Sequence, residues 1–205
     1  MITQKAATAT TTTIIVDTAF GKSGLIYRTK PFAVTRIFLP GTLTKSDRRN
    51  RAGGHPEAAQ AAARALVDYF DGKKVKIPWR WFDMTHATPG QQKVLRAVFD
   101  IAYGTVQSYG EVARRAGFAG GARFVGNTMA NNRFPVFIPC HRVIRADGSL
   151  GGFGGGTDLK KRMIELERRV ISDGTKDKYF RSRSRFRFGQ GTGIACFIDT
   201  GFGQK

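Results

Sequence analysis

The strand-like segments of this chain lie in its first 40 residues, and helix-like segments follow them. Three short runs, IIVDTAFG, GLIYRTK and FAVTRIFLP, have the composition of strands, and the turn-like GKSG joins the first two. PEAAQAAARALVDYFDG predicts a helix, because alanine favours helices, Pro56 suits a first turn and Gly72 suits an end. This order predicts an N-terminal lobe, residues 1–85, with a small antiparallel sheet and one helix. IPWRWFDMTHA has no clear periodicity and is expected to link this lobe to the next.

Helical periodicity dominates residues 86–171. Thr88, Pro89 and Gln91 form a helix-start signal, after which one apolar face is predicted from Val94, Leu95, Val98, Ile101 and Ala102. Two short helices, YGEVARRAG and GARFVGNTMANN, meet around FAGG in the pattern of a helix-turn-helix. TDLKKRMIELERRV predicts a last amphipathic helix, with an inward face listed as Leu159, Met163, Leu166 and Val170. The fold class is therefore expected to be a two-lobed α/β (α+β) protein whose helical C-terminal lobe carries a winged helix-turn-helix.

The second of the two short helices carries a strip of very small side chains. Ala122, Gly126 and Ala130 recur at intervals of four residues. Such a strip lets a backbone come close to another surface. The minor groove of DNA and tight helix–helix packing explain the spacing equally well.

The formal net charge of +19 is positive in each predicted segment of the chain. An excess of this size predicts attraction to a polyanion, most simply nucleic acid; a basic surface that is only solvated is the alternative. No stretch approaches the ~20 apolar residues of a membrane span, and the N-terminus lacks the apolar core of a secretory signal. We expect a cytoplasmic protein, on the nucleoid in a prokaryote or in the nucleus of a eukaryote. Residues 172–205, rich in Gly, Arg and Phe, are expected to form a flexible tail.

Cys140 is the one cysteine in the middle of the sequence, and His141 follows it directly. With only Cys196 besides it, the chain has too few cysteines for a disulfide framework and lacks metal-binding spacings, so no metal is expected. To attack as a thiolate, the cysteine needs a group that accepts its thiol proton, and His141 is the candidate. Glu167 on the last helix is a candidate to orient His141. From these residues alone a buried structural cysteine is the commoner situation, so both interpretations stay open.

PCHRV, with Asn132 eight residues before Cys140 and a GGFGGG loop behind it, closely resembles the O6-alkylguanine-DNA alkyltransferases. The resemblance is dense over residues 86–171 and loose over the N-terminal lobe. It implies a DNA repair enzyme, a methylated-DNA–[protein]-cysteine S-methyltransferase, that flips an alkylated base out of double-stranded DNA from the minor groove. The alkyl group of O6-alkylguanine, and of O4-alkylthymine, then passes irreversibly to the cysteine, once per molecule. The resemblance implies a monomer without a cofactor.

The resemblance also assigns catalytic roles. It implies that Cys140 accepts the alkyl group, that His141 acts as a base through a water, and that Glu167 orients His141. Tyr109 is implied to assist phosphate rotation and to donate to N3 of the guanine as negative charge develops.

Further residues are assigned to DNA and to the pocket. Arg123 is implied to fill the space left by the flipped base, and Asn132 to act as the hinge between the helix-turn-helix and the active-site loop. Minor-groove entry accommodates the small face of Ala122, Gly126 and Ala130. The pocket is expected to use Val143, Phe153, Gly154 and Gly155, with backbone groups of Cys140 and Val143 on the guanine edge.

Two departures from the family pattern carry expectations of their own. Phe153 and Gly154 stand where Tyr-Ser is frequent, and a smaller loop is expected to admit bulkier alkyl groups. The zinc that some members hold in the N-terminal lobe is not expected, because that lobe has no cysteine. The main alternative is a non-catalytic lesion sensor or a helix-turn-helix regulator, and the presence of Cys140 argues against the sensor. A cysteine peptidase would leave the basic charge unexplained.

Overall fold

The computed structural model describes residues 11–44, 47, 54–174, 186–188 and 194–196. The chain forms two compact units, which we describe separately. The first contains Met1–Thr88 and Asn132–Ile138, and the second contains Pro89–Asn131 and Pro139–Lys205. The first junction lies close to the predicted boundary at residue 85, whereas the sequence did not indicate that 132–138 pack with the N-terminal unit.

A three-stranded antiparallel sheet and one helix make up most of the first unit. In sheet order the strands are β1 (Thr11–Thr18), β2 (Gly21–Thr29) and β3 (Phe32–Phe38), and the helix is α1 (Glu57–Phe70). The helix packs against β1 and β2 through a fully buried face that includes Ala59, Ala62 and Leu66. Spacings of three and four residues place these side chains on one side of the helix, and the small alanines let it lie close to the sheet.

The turn between β1 and β2 lies at Ala19–Phe20, so the prediction that GKSG forms it was wrong. GKSG instead opens β2, where Gly24 pairs with Ile15. A β-carbon on Gly24 would stand 2.6 Å from the carbonyl oxygen of Ile14. The missing side chain of Gly24 therefore lets the two strands lie close together. A sequence pattern does not distinguish a glycine in this role from a glycine in a turn.

The segment predicted as a linker, residues 77–87, is packed into the first unit. Ile77 and Phe82 are buried, and the Phe82 ring lies 5.0 Å from that of Phe134. Residue 82 also forms a parallel bridge with Val34. The aromatic residues of this segment are spaced without helical or strand periodicity, and for this reason its sequence predicts a linker.

The second unit is mainly helical, and its elements follow in chain order. They are α2 (Pro89–Phe99), β4 (Gln107–Ser108), α3 (Tyr109–Arg115), α4 (Ala122–Ala130), β5 (Val143–Ile144), α5 (Thr157–Gly174), β6 (Phe186–Phe188) and β7 (Ile194–Cys196). β4 and β5 pair in parallel, and β6 and β7 pair antiparallel. The mixed α/β fold class is confirmed, and α2 begins at the predicted proline.

The second unit differs from the sequence predictions at two helix ends. Ala102, predicted on the inward face of α2, is exposed because the helix ends at Phe99. The last helix reaches Gly174, beyond the predicted end at Val170, and the strands β6 and β7 lie within the predicted tail. The remainder of that tail lies outside the described residues. Within the described ranges no helix is long and apolar enough to cross a bilayer.

A capping box fixes the start of α3. The Ser108 hydroxyl accepts a hydrogen bond from the Glu111 N–H at 3.2 Å, and the Ser108 N–H donates to the Glu111 carboxylate at 2.6 Å. These bonds satisfy two backbone donors at the helix start. They make Tyr109 the first residue of α3, and this fixes the position of its Cα.

Candidate active site

A cavity of about 600 Å³ opens in the second unit, with Cys140 in its wall. The lining residues are Tyr109, Ala122, Arg123, Gly126, Met129, Ala130, Cys140, Arg145, Gly151, Gly152, Phe153 and Gly154. Eight of them are residues that the sequence analysis singled out. The structure therefore brings the cysteine, the small strip of α4 and the glycine-rich loop to one cavity.

Cys140 begins a single 3-10 turn, Cys140–Arg142, that leads directly into β5. The N–H of Arg142 donates to the carbonyl of Pro139 at 2.9 Å and closes this turn. Only 8% of the cysteine is exposed, and that part faces the cavity. The thiol is thus held on a short rigid turn with access from one side.

His141 points away from solvent and contacts the last helix. Its Nε2 lies 2.7 Å from Oε1 of Glu167, and both side chains are buried. Glu167 also accepts a hydrogen bond from the N–H of Gly104 at 2.8 Å. The pairing of His141 with Glu167 that the sequence predicts is present in the structure.

Arg142 completes the buried cluster, although no role for it is predicted from the sequence. Its Nε and Nη2 donate to Glu167 at distances between 2.9 and 3.2 Å, and its Nη1 donates to the carbonyl of Ile101 at 2.6 Å. A guanidinium matches a carboxylate in this forked geometry and stays charged when buried. Only its position within PCHR, beside two candidate catalytic residues, marked it in the sequence.

The charge states of the cluster follow from burial and contacts. Burial raises the pKa of Glu167, but His141 and Arg142 outweigh burial and hold this pKa at about 2, so the carboxylate is ionised at neutral pH. Burial lowers the pKa of His141 in spite of Glu167, so the imidazole is neutral. Because an ionised carboxylate only accepts hydrogen bonds, Nε2 of His141 carries the hydrogen and Nδ1 keeps a lone pair. A neutral imidazole held in this tautomer can act as a base through Nδ1.

Tyr109, the first residue of α3, lines the same cavity as α4. Burial raises the pKa of Tyr109, Cys140 adds to the rise, and Arg145 opposes it, so the phenol keeps its proton at neutral pH. A β-carbon on Gly151, whose φ is +66°, would come within 3.0 Å of the Tyr109 hydroxyl. The glycine is needed both for the backbone conformation and for the room it leaves to the phenol.

Lys160 is a second buried charge that the sequence analysis missed. Its side chain is 0% exposed, and Nζ donates to the carbonyls of Val143, at 2.7 Å, and Leu150. Burial lowers the pKa of Lys160 to about 8, while Cys140 acts in the opposite direction. The ammonium ties β5 to the start of the glycine-rich loop.

Besides His141 and Glu167, three residues that the resemblance assigned to the site lie outside the cavity lining. Val143 is fully buried in β5, with its carbonyl bonded to Lys160, and Gly155 follows the lining residues of its loop. Asn132 belongs to the first unit, where its side chain donates to the carbonyl of Ile138 at 2.9 Å and accepts from the N–H of Phe134 at 3.0 Å. It thereby closes the segment that leads to Pro139.

Comparison with protein families identifies the second unit. Residues 89–169 match the family described as 6-O-methylguanine DNA methyltransferase, DNA binding domain. A methylated-DNA–protein-cysteine methyltransferase of Methanothermobacter thermautotrophicus is 40% identical over 112 residues, which are 55% of this chain and 62% of that protein. The protein of the same name from Mycobacterium leprae is 39% identical over 124 residues, 60% of this chain and 74% of its own length.

Solved structures resemble a larger part of the chain. The crystal structure of Mycobacterium tuberculosis O6-methylguanine methyltransferase matches with a TM-score of 0.65 and 32% identity, covering 78% of this chain and 94% of that one. The structure of Mycobacterium tuberculosis OGT in complex with DNA matches with a TM-score of 0.63 and 32% identity, covering 77% and 93%. Sequence identity and fold agree, and the chain belongs to the methylated-DNA–protein-cysteine methyltransferase family.

Proposed function

We propose that this chain is a DNA repair methyltransferase that moves the alkyl group of O6-alkylguanine, and of O4-alkylthymine, from double-stranded DNA to Cys140. The observation that carries the proposal is the placement of one thiol in a cavity wall, with His141 on the same short turn and paired with the buried Glu167 of the last helix. The thiolate is the attacking species of a cysteine, and a neutral imidazole is the group that produces it. The family relationship supports the same reaction.

In the proposed reaction, Sγ of Cys140 forms a bond to the alkyl carbon as the bond from that carbon to O6 breaks. His141 takes the thiol proton at Nδ1 through a water, and the buried carboxylate of Glu167 stabilises the imidazolium. The electron pair leaves with the guanine, where Tyr109 donates a hydrogen bond to N3 as charge develops. The guanine then regains a proton from His141. Regenerating the thiol would require a nucleophile to take the alkyl group from sulfur, and a neutral thioether is a poor alkyl donor, so each molecule acts once.

The base has to leave the duplex to reach the thiol of Cys140, a residue that is only 8% exposed. The small side chains of α4 beside the cavity let its backbone come close to a minor groove; they are those of Ala122, Gly126 and Ala130. Arg123 is exposed at the start of the same helix. In our proposal Arg123 fills the space of the extruded base.

The remaining assignments complete this proposal. Asn132 is the hinge before the active-site turn, backbone groups of Val143 contribute to the guanine edge, and Gly155 keeps the loop small. Residues 1–85 support the catalytic unit. The protein acts as a monomer wherever its DNA is, in the cytoplasm on a nucleoid or in a nucleus.

A stoichiometric assay tests the proposal. Fixed amounts of the chain are mixed with increasing amounts of duplex that contains one O6-methylguanine, and the repaired lesions are counted after the reaction stops. We expect a plateau of one repair per chain, no repair by Cys140→Ser and full repair by the control Cys196→Ser. Tight binding without any repair would instead favour the non-catalytic lesion sensor.

A further inference from the structure

Arg145 lines the cavity that holds Cys140, and the reaction proposed above leaves it without a role. Among the described residues that line the cavity, the charged ones are Arg123 and Arg145, and none is acidic. Arg123 comes from α4, whereas Arg145 follows β5. Two separate elements thus bring positive charge to one opening, which favours an anionic group there.

A tight turn fixes the backbone of Arg145. Its N–H donates to the carbonyl of Ser149 at 2.8 Å, and its carbonyl accepts from the N–H of Gly148 at 3.0 Å. Asp147, in the same turn, accepts from the N–H and the hydroxyl of Ser149 at 2.9 and 2.7 Å. The nearest acidic side chain in sequence is thus engaged within the turn, while the Cα of Arg145 is held in place.

The guanidinium of Arg145 is exposed and forms no hydrogen bond or ion pair with any residue that the structure describes. It nevertheless lies near the reactive groups. Burial is the largest cause of the pKa shifts of Tyr109 and Lys160 and Cys140 is the next, and the charge of Arg145 contributes to both. Hydrogen bonds from Ser149 are the main cause of the lowered pKa of Asp147, to which the charge of Arg145 also contributes. A cation that is placed by a tight turn at the mouth of the cavity, and whose guanidinium makes no hydrogen bond or ion pair with a described residue, is available to a ligand.

We propose that Arg145 binds a DNA phosphate next to the extruded nucleotide. This inference rests on the proposed function. A base that enters the cavity stays joined to its sugar, so its flanking phosphates stop at the opening. The guanidinium fork matches phosphate oxygens, and phosphate contacts fix the position of a nucleotide without reading its sequence. Arg145 is therefore a positioning residue for the DNA substrate.

The competing role for Arg145 is an electrostatic effect on the thiol or on the leaving guanine. The two roles differ in one testable way, because free O6-benzylguanine offers the alkylated base without a phosphate. An effect on the thiol or guanine would slow the reactions with free base and with DNA alike. A phosphate contact changes only the reaction with DNA.

The experiment compares wild type with Arg145→Gln by the second-order rate constant of alkyl transfer, over a series of salt concentrations. We expect Arg145→Gln to react about tenfold more slowly with lesion-containing duplex at low salt, as for loss of one charged hydrogen-bonding contact. In a plot of the logarithm of the rate constant against the logarithm of the salt concentration, the negative slope should become smaller in magnitude by about one. The rate with free O6-benzylguanine should not change.

A second substrate identifies the phosphate. Duplexes with a neutral methylphosphonate at the linkage 5′ or 3′ to the lesion should slow the wild type about tenfold at one of the two positions. Arg145→Gln should lose nothing further at that position, because the contact is already absent. Additive losses at both positions would overturn the proposal, as would an equal loss with free base.

A matched control removes the same charge elsewhere. Arg64 is exposed on α1, and Arg64→Gln should change the rate with DNA by less than about twofold. An equal effect of both variants would assign the loss to net charge and overturn the phosphate contact. Failure of the proposed function itself would be visible separately, since the wild type would then react with neither substrate.

Discussion

Oε1 of Glu167 lies 2.7 Å from Nε2 of His141, and this contact holds the imidazole beside Cys140 in one tautomer. The same carboxylate also accepts from Arg142 and from the N–H of Gly104. One buried side chain on the last helix therefore orders the turn that carries the thiol. This makes Glu167 a determinant of both stability and reactivity.

The stability of the fold should depend on Glu167 in acid. The pKa of Glu167 lies at about 2 in the folded chain against an ordinary 4.5, so its carboxylate stabilises the fold above pH 4.5 and loses this effect as pH falls toward 2. The shift corresponds to roughly 3 kcal/mol. Urea unfolding of wild type and Glu167→Gln between pH 7 and pH 2 measures it, and the difference between them should shrink below pH 4.5.

At neutral pH, Glu167→Gln should cost about 3–5 kcal/mol, because Arg142 is left as an uncompensated buried charge. Glu165→Gln, on the same helix but half-buried, should cost less than about 1 kcal/mol. Equal effects of the two substitutions would contradict a special role of the buried cluster.

Lys160 and Lys161 are adjacent lysines with opposite surroundings, which makes them a matched pair. Lys160→Met removes the donor to the carbonyls of Val143 and Leu150 and should destabilise the chain by about 2 kcal/mol. Lys161 is exposed, and Lys161→Met should change stability by less than about 0.5 kcal/mol. Thermal and denaturant unfolding at pH 7 compare the two, and similar values would show that the buried contacts of Lys160 contribute little.

Gly151 should be sensitive to a single methyl group. Gly151→Ala forces a side chain into a left-handed backbone and against the Tyr109 hydroxyl, so both stability and the rate of alkyl transfer should fall. Gly117 has a similar φ of +82° but open space around it. Gly117→Ala should therefore lose about 1 kcal/mol of stability with the rate unchanged. A normal rate in Gly151→Ala would mean that Tyr109 tolerates displacement.

The open loop at Gly154 should accommodate large alkyl groups. A β-carbon on Gly154 would meet no atom within 4 Å, and the residue lines the cavity. We expect wild type to transfer benzyl at least as fast as methyl from O6-alkylguanine in DNA, and Gly154→Ser to lower the benzyl-to-methyl ratio by about tenfold. Parallel single-turnover assays on the two lesions measure the ratio. A strong preference of the wild type for methyl would refute the expectation.

The sequence predicted the elements of the fold better than their packing. Strand composition and the proline at the start of α2 indicated the sheet and the first helix of the second unit, because those signals are local. The packing of residues 77–87 and 132–138 into the first unit was not predictable, since it depends on long-range aromatic contacts such as Phe82 with Phe134.

At the site, the sequence indicated the residues with a chemical signature and missed those that support them. The buried face of α5 includes Lys160, Met163, Ile164 and Glu167, whereas the prediction placed Leu166 and Val170 inward, and both are only half-buried. Hydrophobic periodicity places charged residues outside by default. Paired buried charges reverse this rule, and their partners are distant in sequence.

Transfer of the alkyl group to Cys140 is tested most directly by mass spectrometry. The chain is mixed with duplex whose O6-methylguanine carries a deuterated methyl group, and the intact mass and the peptide map are recorded beside Cys140→Ala. We predict one deuterated methyl group per chain, on the peptide that contains Cys140, and none on the variant. An unmodified chain bound to the lesion, or a methyl group on Cys196, would contradict the account.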